Sequence, residues 1–369
     1  MYCLTFGDHA VGHLVMAPQI SLVVAPHLDG WASQWDRLVD ASPLPSPFLR
    51  SWWLTGTGGP RPRFLFVVGD DRLLAGLALE EETRLGLPCL RIMGDGALCP
   101  DHLDLLVAPG YEDTAIPLVR NWLSRPGGRL FDLKGIQAGS RLSEALPGPV
   151  RREPLAVAPF TTLPASSEAY LANLSSQFRR NLRRSSSRLG AEGVIHRTSR
   201  GLEVQGSLDT LRSLHHAQWG HRSRFLHEFD RFAAGCRLGA AVDEAVVHEL
   251  AAADTVIATV VAFEVAGRVS LYQSARLMES RWRDATTVLL AAIIADACDR
   301  GFNEVDFLRG EEPYKNRFAP DQRQMLRLVA GKGVRGRVAC ASKAATSTAR
   351  QLAVRSVRTG RAAVARAKR

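Results

Sequence analysis

Hydrophobic and polar positions along the chain follow two periods, one helical and one strand-like. Apolar residues recur on one face over 31–40 and over 167–189, which predicts amphipathic helices. Apolar runs bounded by glycine or by charged turns predict strands. The clearest of these runs are 64–68, 73–79, 90–93, 103–107, 130–133, 256–265, 269–273 and 305–308. Strands and helices therefore alternate along the chain, as in an α/β protein.

One order of elements occurs twice. A predicted helix over 112–123 is followed by glycines and by the sequence FDLKG at 131–135. A predicted helix over 286–300 is followed by Gly301 and by VDFLRG at 305–310. The repeated order predicts two similar units. We expect an α/β (α+β) fold with mixed, mainly antiparallel sheets flanked by helices.

A stretch rich in proline and glycine, 147–164, is the best candidate for a domain boundary. It predicts an N-terminal domain over 1–150 and a linker over 151–165. A C-terminal domain then spans 166–333, and a basic tail spans 334–369. The tail is predicted to lie outside the folded core.

The charge of the chain is concentrated at its C-terminal end. The formal net charge is +10, yet residues 331–369 hold 11 Lys and Arg and no Asp or Glu. The first 330 residues are left with 36 basic and 37 acidic side chains. A basic body that grips nucleic acid is therefore not supported. The tail is predicted to contact an anionic surface such as lipid, RNA or an acidic protein.

Cysteine spacing and hydropathy indicate the compartment. The six cysteines lie far apart, with no pair or Cys/His cluster at metal-ligand spacing, so we expect free thiols and no metal. No convincing signal peptide or apolar run of membrane-spanning length is present. These features predict a cytoplasmic protein, with the basic tail as a possible peripheral membrane contact. The oligomeric state is left open.

The segment after the second repeated strand carries the strongest candidates for chemistry. Asp306 sits in a predicted buried strand, where a carboxylate is costly unless it is paired or working. It either orients substrate or acts as a base, or it pairs with an arginine such as Arg309. Tyr314 and Lys315 follow on a predicted turn, where they either meet substrate or pack and face solvent. Tyr272, at a strand end, is a weaker substrate-binding candidate.

Other polar and aromatic groups have competing interpretations. Arg180 and Arg183, on the Arg-rich helix, either bind an anionic substrate or cover a solvated face. His215, His216 and His221 are expected to be satisfied or exposed histidines. The aromatic side chains of Phe48, Trp52 and Trp53 are expected in a core, with a nucleobase or sugar platform as the alternative.

Two segments resemble a known family. The sequence LSSQFRRNLRRSSSRL (174–189) resembles the Arg-rich helix that opens the acyltransferase domain of CelD/BcsL-type proteins of the GNAT superfamily. The sequence VDFLRGEEPYKNRFAP (305–320) resembles the closing motif of that domain. SPFLRSWWL (46–54) is similar to the start of the family, so the resemblance spans about residues 30–330.

The resemblance implies tandem GNAT-like units related to the Fem peptidyl transferases. It implies acyl transfer, from acetyl-CoA or another acyl-CoA, to an amine or hydroxyl of a sugar, polysaccharide precursor or small metabolite. Asp306, Tyr314 and Lys315 are then the expected catalytic residues, in one cleft with Arg180.

The turn before the second repeated helix departs from the family pattern. Family members carry a glycine-containing turn there, whereas this chain has RWRDATT at 281–287. Glycine lets backbone N–H groups approach a diphosphate closely. We expect the donor diphosphate near Thr286 and Thr287, with Arg281 or Arg283 compensating for the missing glycine.

Two alternatives remain at this point. The first is Fem-like aminoacyl transfer from aminoacyl-tRNA. The second is a catalytically inactive GNAT scaffold that binds a partner or a carbohydrate.

Overall fold

The computed structural model describes residues 19–310 and 312–340. Its strands are β1 (Ser21–Ala25), β2 (Pro62–Gly69), β3 (Arg72–Arg84), β4 (Leu87–Ile92), β5 (Leu106–Val107), β6 (Arg129–Gln137), β7 (Arg151–Thr162), β8 (Val194–Ser199), β9 (Ala245–Ala252), β10 (Thr255–Val265), β11 (Arg268–Arg276), β12 (Glu304–Asp306) and β13 (Asp321–Lys332). Its α-helices are α1 (Ala32–Asp40), α2 (Ser51–Thr57), α3 (Glu112–Leu123), α4 (Leu142–Ala145), α5 (Ser167–Asn173), α6 (Ser176–Ala191), α7 (Val204–Trp219), α8 (Phe229–Ala240) and α9 (Ala285–Asp299).

All of these strands belong to one mixed sheet. Its order is β1-β2-β3-β4-β6-β13-β7-β12-β11-β10-β9-β8, with β5 paired to β3. The named strand pairs are antiparallel except β4 with β6 and β11 with β12. The predicted fold class, an α/β chain with a mixed and mainly antiparallel sheet flanked by helices, is confirmed.

Most of the predicted linker, 151–165, is strand β7. This strand pairs with β12 on one side and with β13 on the other. Proline is tolerated here because Pro154 lies beside a register shift, where Met325 faces Ala156 and Leu326 faces Pro154. The division into two domains stays a prediction.

Strand β13, which the hydropathy pattern does not single out, joins the two halves of the sheet. It runs antiparallel to β6 of the N-terminal half and to β7. The next residues, 333–340, are helical, and Ala339 is buried against Leu87 and Leu130. The predicted tail is therefore wrong over 334–340, which pack on the sheet. The rest of it, 341–369, lies outside the described residues.

Two clusters of buried apolar side chains pack against the sheet. Phe48 and Trp53 are fully buried in the larger core, with ring centroids 5.0 Å apart, and Trp52 is nearly so. The expectation of core packing for this aromatic cluster is confirmed. The second core collects the apolar faces of α5, α6 and α9.

The single helix predicted over 167–189 is two helices. Ser175 has an extended ψ of 143°, and its side chain accepts a hydrogen bond from the Phe178 N–H at 3.2 Å. It is therefore the N-cap of α6, which begins a new helix after α5. Within the described residues, no helix combines the length and hydropathy needed to cross a membrane.

Candidate functional site

The parallel strands β11 and β12 separate soon after they pair. They are in register only at Arg268 with Glu304, Val269 with Val305, and Ser270 with Asp306. Strand β11 then continues to Arg276, while the Phe307 N–H donates to the Pro159 carbonyl of β7. The gap at the carboxyl ends of the two strands holds a cavity of about 450 Å³. Such a position is where α/β sheets commonly bind ligands.

Strand β11 is bulged where it lines this cavity. Val261 pairs with Gln273 and Ala262 pairs with Leu271, so Tyr272 has no residue opposite it on β10. The Tyr272 hydroxyl donates to the Leu98 carbonyl, and burial raises the pKa of Tyr272 well above its usual value. The predicted substrate-binding residue therefore lies in the cavity wall with its hydroxyl already bonded.

A loop of the N-terminal half closes one side of the cavity. Its residues Leu98, Cys99 and Asp101 are part of the lining. Cys99 has a φ of 46°, and Leu308, which also lines the cavity, has a φ of 53°. Non-glycine residues rarely adopt this left-handed conformation, and it is found where surrounding packing enforces it.

Asp101 and Arg309 join this loop to the segment after β12. Arg309 donates from its backbone N–H to one Asp101 oxygen at 2.7 Å and from Nε to the other at 2.5 Å. It also donates to the Pro100 carbonyl at 2.5 Å. Burial raises the pKa of Asp101, against the opposing charges of Arg309 and His102. One interpretation of the sequence paired Arg309 with Asp306. In the structure Arg309 pairs with Asp101 instead.

Asp306 is fully buried and ties three segments together. Its Oδ2 lies 2.8 Å from Arg268 Nη2 and 2.7 Å from His102 Nε2, and its Oδ1 accepts from the Leu308 N–H at 2.7 Å. Burial would raise the pKa of this carboxyl, but His102, Arg268 and the Leu308 N–H hold it well below its usual range. The carboxylate stays ionised, and its oxygens are engaged by these donors.

Only two members of the predicted shared cleft line the cavity, Tyr314 and Lys315. Lys315 is buried, with Nζ 2.9 Å from Glu312 Oε2 and 3.1 Å from the Arg309 carbonyl. Burial is the main cause that raises the pKa of Tyr314 to about 12, so its hydroxyl keeps its proton at neutral pH. Gly310, at a φ of 139°, provides the turn that brings both residues here.

Asp306 and Arg180 are outside this lining, so the predicted cleft is wrong for those two residues. Asp306 precedes Phe307 and Leu308 in the sequence. Its side chain is enclosed by Arg268, His102 and the Leu308 N–H. Arg180 is exposed on α6 and donates to Gln177 at 2.6 Å. Arg183 is also exposed. Their predicted roles in catalysis and anion binding stay predictions.

The predicted donor-binding residues surround the start of α9. Arg281 bonds Glu279 at 2.8 Å and stacks on the Trp282 ring, and Arg283 is largely exposed. Thr286 and Thr287 lie in the first helical turn and are half-buried.

A carboxylate already stands at this helix terminus. Asp284, the N-cap residue, lies 3.3 Å from Arg188 of α6, and Arg188 also bonds the Arg281 carbonyl at 2.6 Å. Arg188, rather than Arg281 or Arg283, is therefore the arginine fixed beside the helix start. The Asp284 side chain accepts no hydrogen bond from the first turn of α9 and contacts Arg188 and Ser185 instead. Its negative charge therefore lies beside the helix start where a diphosphate would bind.

Sequence reasoning missed the loop over 97–101 and assigned His215 no role. His215, on α7, is buried and lines the cavity, with its ring centroid 5.0 Å from that of Phe225. Neither segment is next to β12 in the chain, and only the fold brings them to it. Cys99 and Asp101, between two predicted strands, gave no spacing signal.

Comparisons with known proteins agree with this architecture. Residues 176–316 match the family model described as Acetyltransferase (GNAT) domain. These residues have the GNAT acetyltransferase fold. Comparison with curated protein sequences gives no match.

Solved structures resemble the chain over most of its length. FemX matches with a TM-score of 0.58 at 9% identity, covering 80% of this chain and 95% of the FemX chain. A C-terminal domain (DUF2156), assigned to a lysylphosphatidylglycerol synthetase of Agrobacterium fabrum, has a TM-score of 0.52 at 11% identity and covers 81% and 90%. L-PGS from Bacillus licheniformis has a TM-score of 0.50 at 12% identity and covers 75% and 89%. At these identities the likeness establishes the fold alone.

Proposed function

We propose that this protein is an acyltransferase that works in the gap between β11 and β12. The observation that carries the proposal is the separation of these strands after Ser270 and Asp306, which opens a cavity inside a GNAT fold. The acceptor is an amine or hydroxyl of a sugar, polysaccharide precursor or small metabolite. The finer resemblance to the CelD/BcsL type is part of this proposal.

The lining supplies a proton donor for the leaving group. Acyl transfer from a thioester releases a thiolate, which must gain a proton. Tyr314 keeps its proton at neutral pH, because burial raises its pKa to about 12, and it lines the cavity. Lys315 is held by Glu312 and by backbone carbonyls, so its charge serves to fix the turn beside Tyr314.

Acyl-CoA is the donor that we propose first. The acyl group and thioester would occupy the gap, and the diphosphate would lie near Thr286 and Thr287 in the first turn of α9. Arg188 supplies a fixed positive charge there. The acyl-CoA is a substrate in this scheme, and no metal is required by it.

Aminoacyl-tRNA is the second candidate donor. The specific observation in its favour is Asp284 at the N-cap of α9, whose negative charge would oppose a diphosphate bound at that helix start. The fold likeness to FemX and to L-PGS is compatible with this alternative. An inactive scaffold is a third candidate, favoured by the absence of a glycine turn at 281–287.

The test compares the two donors on one preparation of the full chain. Acetyl-CoA with glucosamine is followed by release of free thiol, and an aminoacyl-tRNA mixture is followed by loss of the esterified amino acid. We expect thiol release above the buffer rate. Turnover with aminoacyl-tRNA alone would transfer the proposal to the Fem-like donor, and turnover with neither donor would favour the scaffold.

The basic segment 341–369 lies outside the described residues, and its partner is a proposal from charge alone. Its uncompensated Lys and Arg favour an anionic surface of lipid, RNA or acidic protein. Sedimentation of the full chain and of a chain ending at Cys340 with anionic vesicles, at low and high salt, tests the lipid case.

A further inference from the structure

One titratable group in the cavity is not used by the mechanism above. His215 is 7% exposed and lies on α7, which packs against β11. Its Nδ1 is buried without a hydrogen-bond partner among the described residues, whereas its Nε2 is not enclosed in this way. Buried imidazoles ordinarily find a partner. Because Nδ1 is enclosed and Nε2 is not, Nε2 is the atom through which His215 can contact a ligand in the cavity that it lines.

Aromatic side chains hold the His215 ring, and no salt bridge to it is found among the described residues. Phe225 lies against it with a centroid separation of 5.0 Å, and Trp219 lies 6.5 Å away. The charged groups that line the same cavity are arranged mainly in pairs: Asp101 with Arg309, and Glu312 with Lys315. Arg224, also in the lining, is exposed.

We propose that His215 is the base that accepts the proton of the acceptor nucleophile. This inference rests on the proposed acyl-transfer function and adds a residue to it. Burial lowers the pKa of His215 from its ordinary value of 6.5, so the ring is neutral and able to accept a proton at pH 7. The geometry places it in the lining together with the proposed proton donor, Tyr314.

For an amine acceptor, acyl transfer forms one bond, breaks one bond and moves two protons. The amine nitrogen forms a bond to the acyl carbon and gives one proton to His215 Nε2, while the carbon–sulfur bond of the thioester breaks. The departing thiolate takes the Tyr314 hydroxyl proton. Transfer of the proton from His215 to the Tyr314 oxygen, through water, restores both side chains.

The kinetic test uses His215→Gln, with His216→Gln as the matched control on the same helix. His216 is exposed and is not part of this cavity lining. With acetyl-CoA and glucosamine we expect His215→Gln to lower kcat about 100-fold, within the range for general base catalysis, and His216→Gln to change it less than twofold. The fall of wild-type kcat/KM toward acid pH should disappear in His215→Gln.

Nuclear magnetic resonance of the wild-type histidine rings keeps the proposal testable even where the Gln variant fails to fold. We expect a neutral His215 ring at pH 7 that titrates below pH 6.5. A ring that is protonated at pH 7, or equal losses in His215→Gln and His216→Gln, would overturn the role of His215 while leaving acyl transfer standing. A wild-type protein without thiol release would overturn the acyl-CoA function, and the His215 step with it.

Discussion

Both halves of the sheet contain a gap between two parallel strands, but the gap is filled in one half and open in the other. Each contains one pair of parallel strands that separate: β4 and β6 pair only at Cys89 with Leu130 and Leu90 with Phe131, as β11 and β12 pair over three residues. In the N-terminal half the gap is filled, because Leu103 bridges to Ile136 and donates from its N–H to the Gly135 carbonyl at 2.8 Å. In the C-terminal half the gap remains open as the cavity.

The filling segment of one half also builds the site of the other. Leu98, Cys99 and Asp101 precede Leu103 and line the cavity between β11 and β12. The N-terminal half therefore differs from the C-terminal half in having no open gap. It contributes one wall of the cavity in the C-terminal half. Because only the gap of the C-terminal half is open, we place the proposed acyl transfer there.

The buried aspartates of the two repeated motifs support the same comparison. Asp132 of β6 accepts from Arg327 and Arg84 at 2.6 and 2.7 Å, and Asp306 of β12 pairs with Arg268 at 2.8 Å. An aspartate that also pairs with arginine in the half whose gap is closed favours a structural use for both. The predicted catalytic role of Asp306 stays a prediction, which the next two measurements test.

The largest expected effect is on stability, when either of these aspartates is replaced. Asp306→Asn and Asp132→Asn each remove a buried carboxylate from its arginine partners. Breaking a buried ion pair costs up to about 3–5 kcal/mol. The cost falls where the arginine keeps a second carboxylate, as Arg268 keeps Glu304 and Arg327 keeps Glu153. We expect both variants to lose a similar share of the free energy of unfolding, measured with urea. An Asp306→Asn protein of full stability and no turnover would contradict the structural role.

The dependence of stability on pH checks the predicted structural role of Asp306. The pKa of Asp306 lies well below its unfolded value of 3.8, so its stabilising contribution is complete above that value and is lost as pH falls below it. Stability of the wild-type protein should therefore decline more steeply below about pH 4 than that of Asp306→Asn.

The next effect concerns turnover in the open gap. Tyr314→Phe removes the proposed proton donor and should lower kcat about 100-fold with acetyl-CoA and glucosamine. Tyr111→Phe, in the N-terminal half and outside the lining, is the control and should keep its rate. Equal kcat values for Tyr314→Phe and wild type would remove Tyr314 from the mechanism.

A smaller effect tests how the closed gap is filled. Gly135 has a φ of 74°, and a Cβ there would overlap the Pro100 carbonyl, whereas Gly139, at 80°, has open space around it. Gly139→Ala should cost about 1 kcal/mol of stability from its backbone alone, and Gly135→Ala clearly more, about 2–3 kcal/mol. Equal costs, from urea unfolding, would show that the filling segment is loosely held.

The smallest effect concerns the segment after β13. A chain ending at Gly333 loses the contacts of Ala339 with Leu87 and Leu130, which a chain ending at Cys340 keeps. Burial of so few apolar atoms is worth about 1 kcal/mol. A melting temperature that is the same for the two truncated chains would restore the original prediction of a tail outside the core from 334.

The sequence predicted the fold class and three of the lining residues, Tyr272, Tyr314 and Lys315, for physical reasons that are local. Hydropathy period and glycine position report local structure, so β11, α9 and the turn that carries Tyr314 and Lys315 were predictable. The partners of Asp306 were not, because Arg268 is 38 residues away and His102 belongs to the other half. Strand β7 was hidden because its prolines resemble a linker until the shifted register at Pro154 is seen.

The most direct test fills the open gap. Ser274 lines the cavity on β11, opposite Val260 in register, so Ser274→Trp would place an indole where the acyl group is proposed to lie. The measurement is thiol release from acetyl-CoA with glucosamine by this variant and by wild type, with folding checked by circular dichroism. We predict a folded protein with at least about a 100-fold loss of turnover, of the size that misplacing the reacting groups produces. A folded Ser274→Trp protein with the wild-type rate would contradict the claim that this gap is the site of acyl transfer.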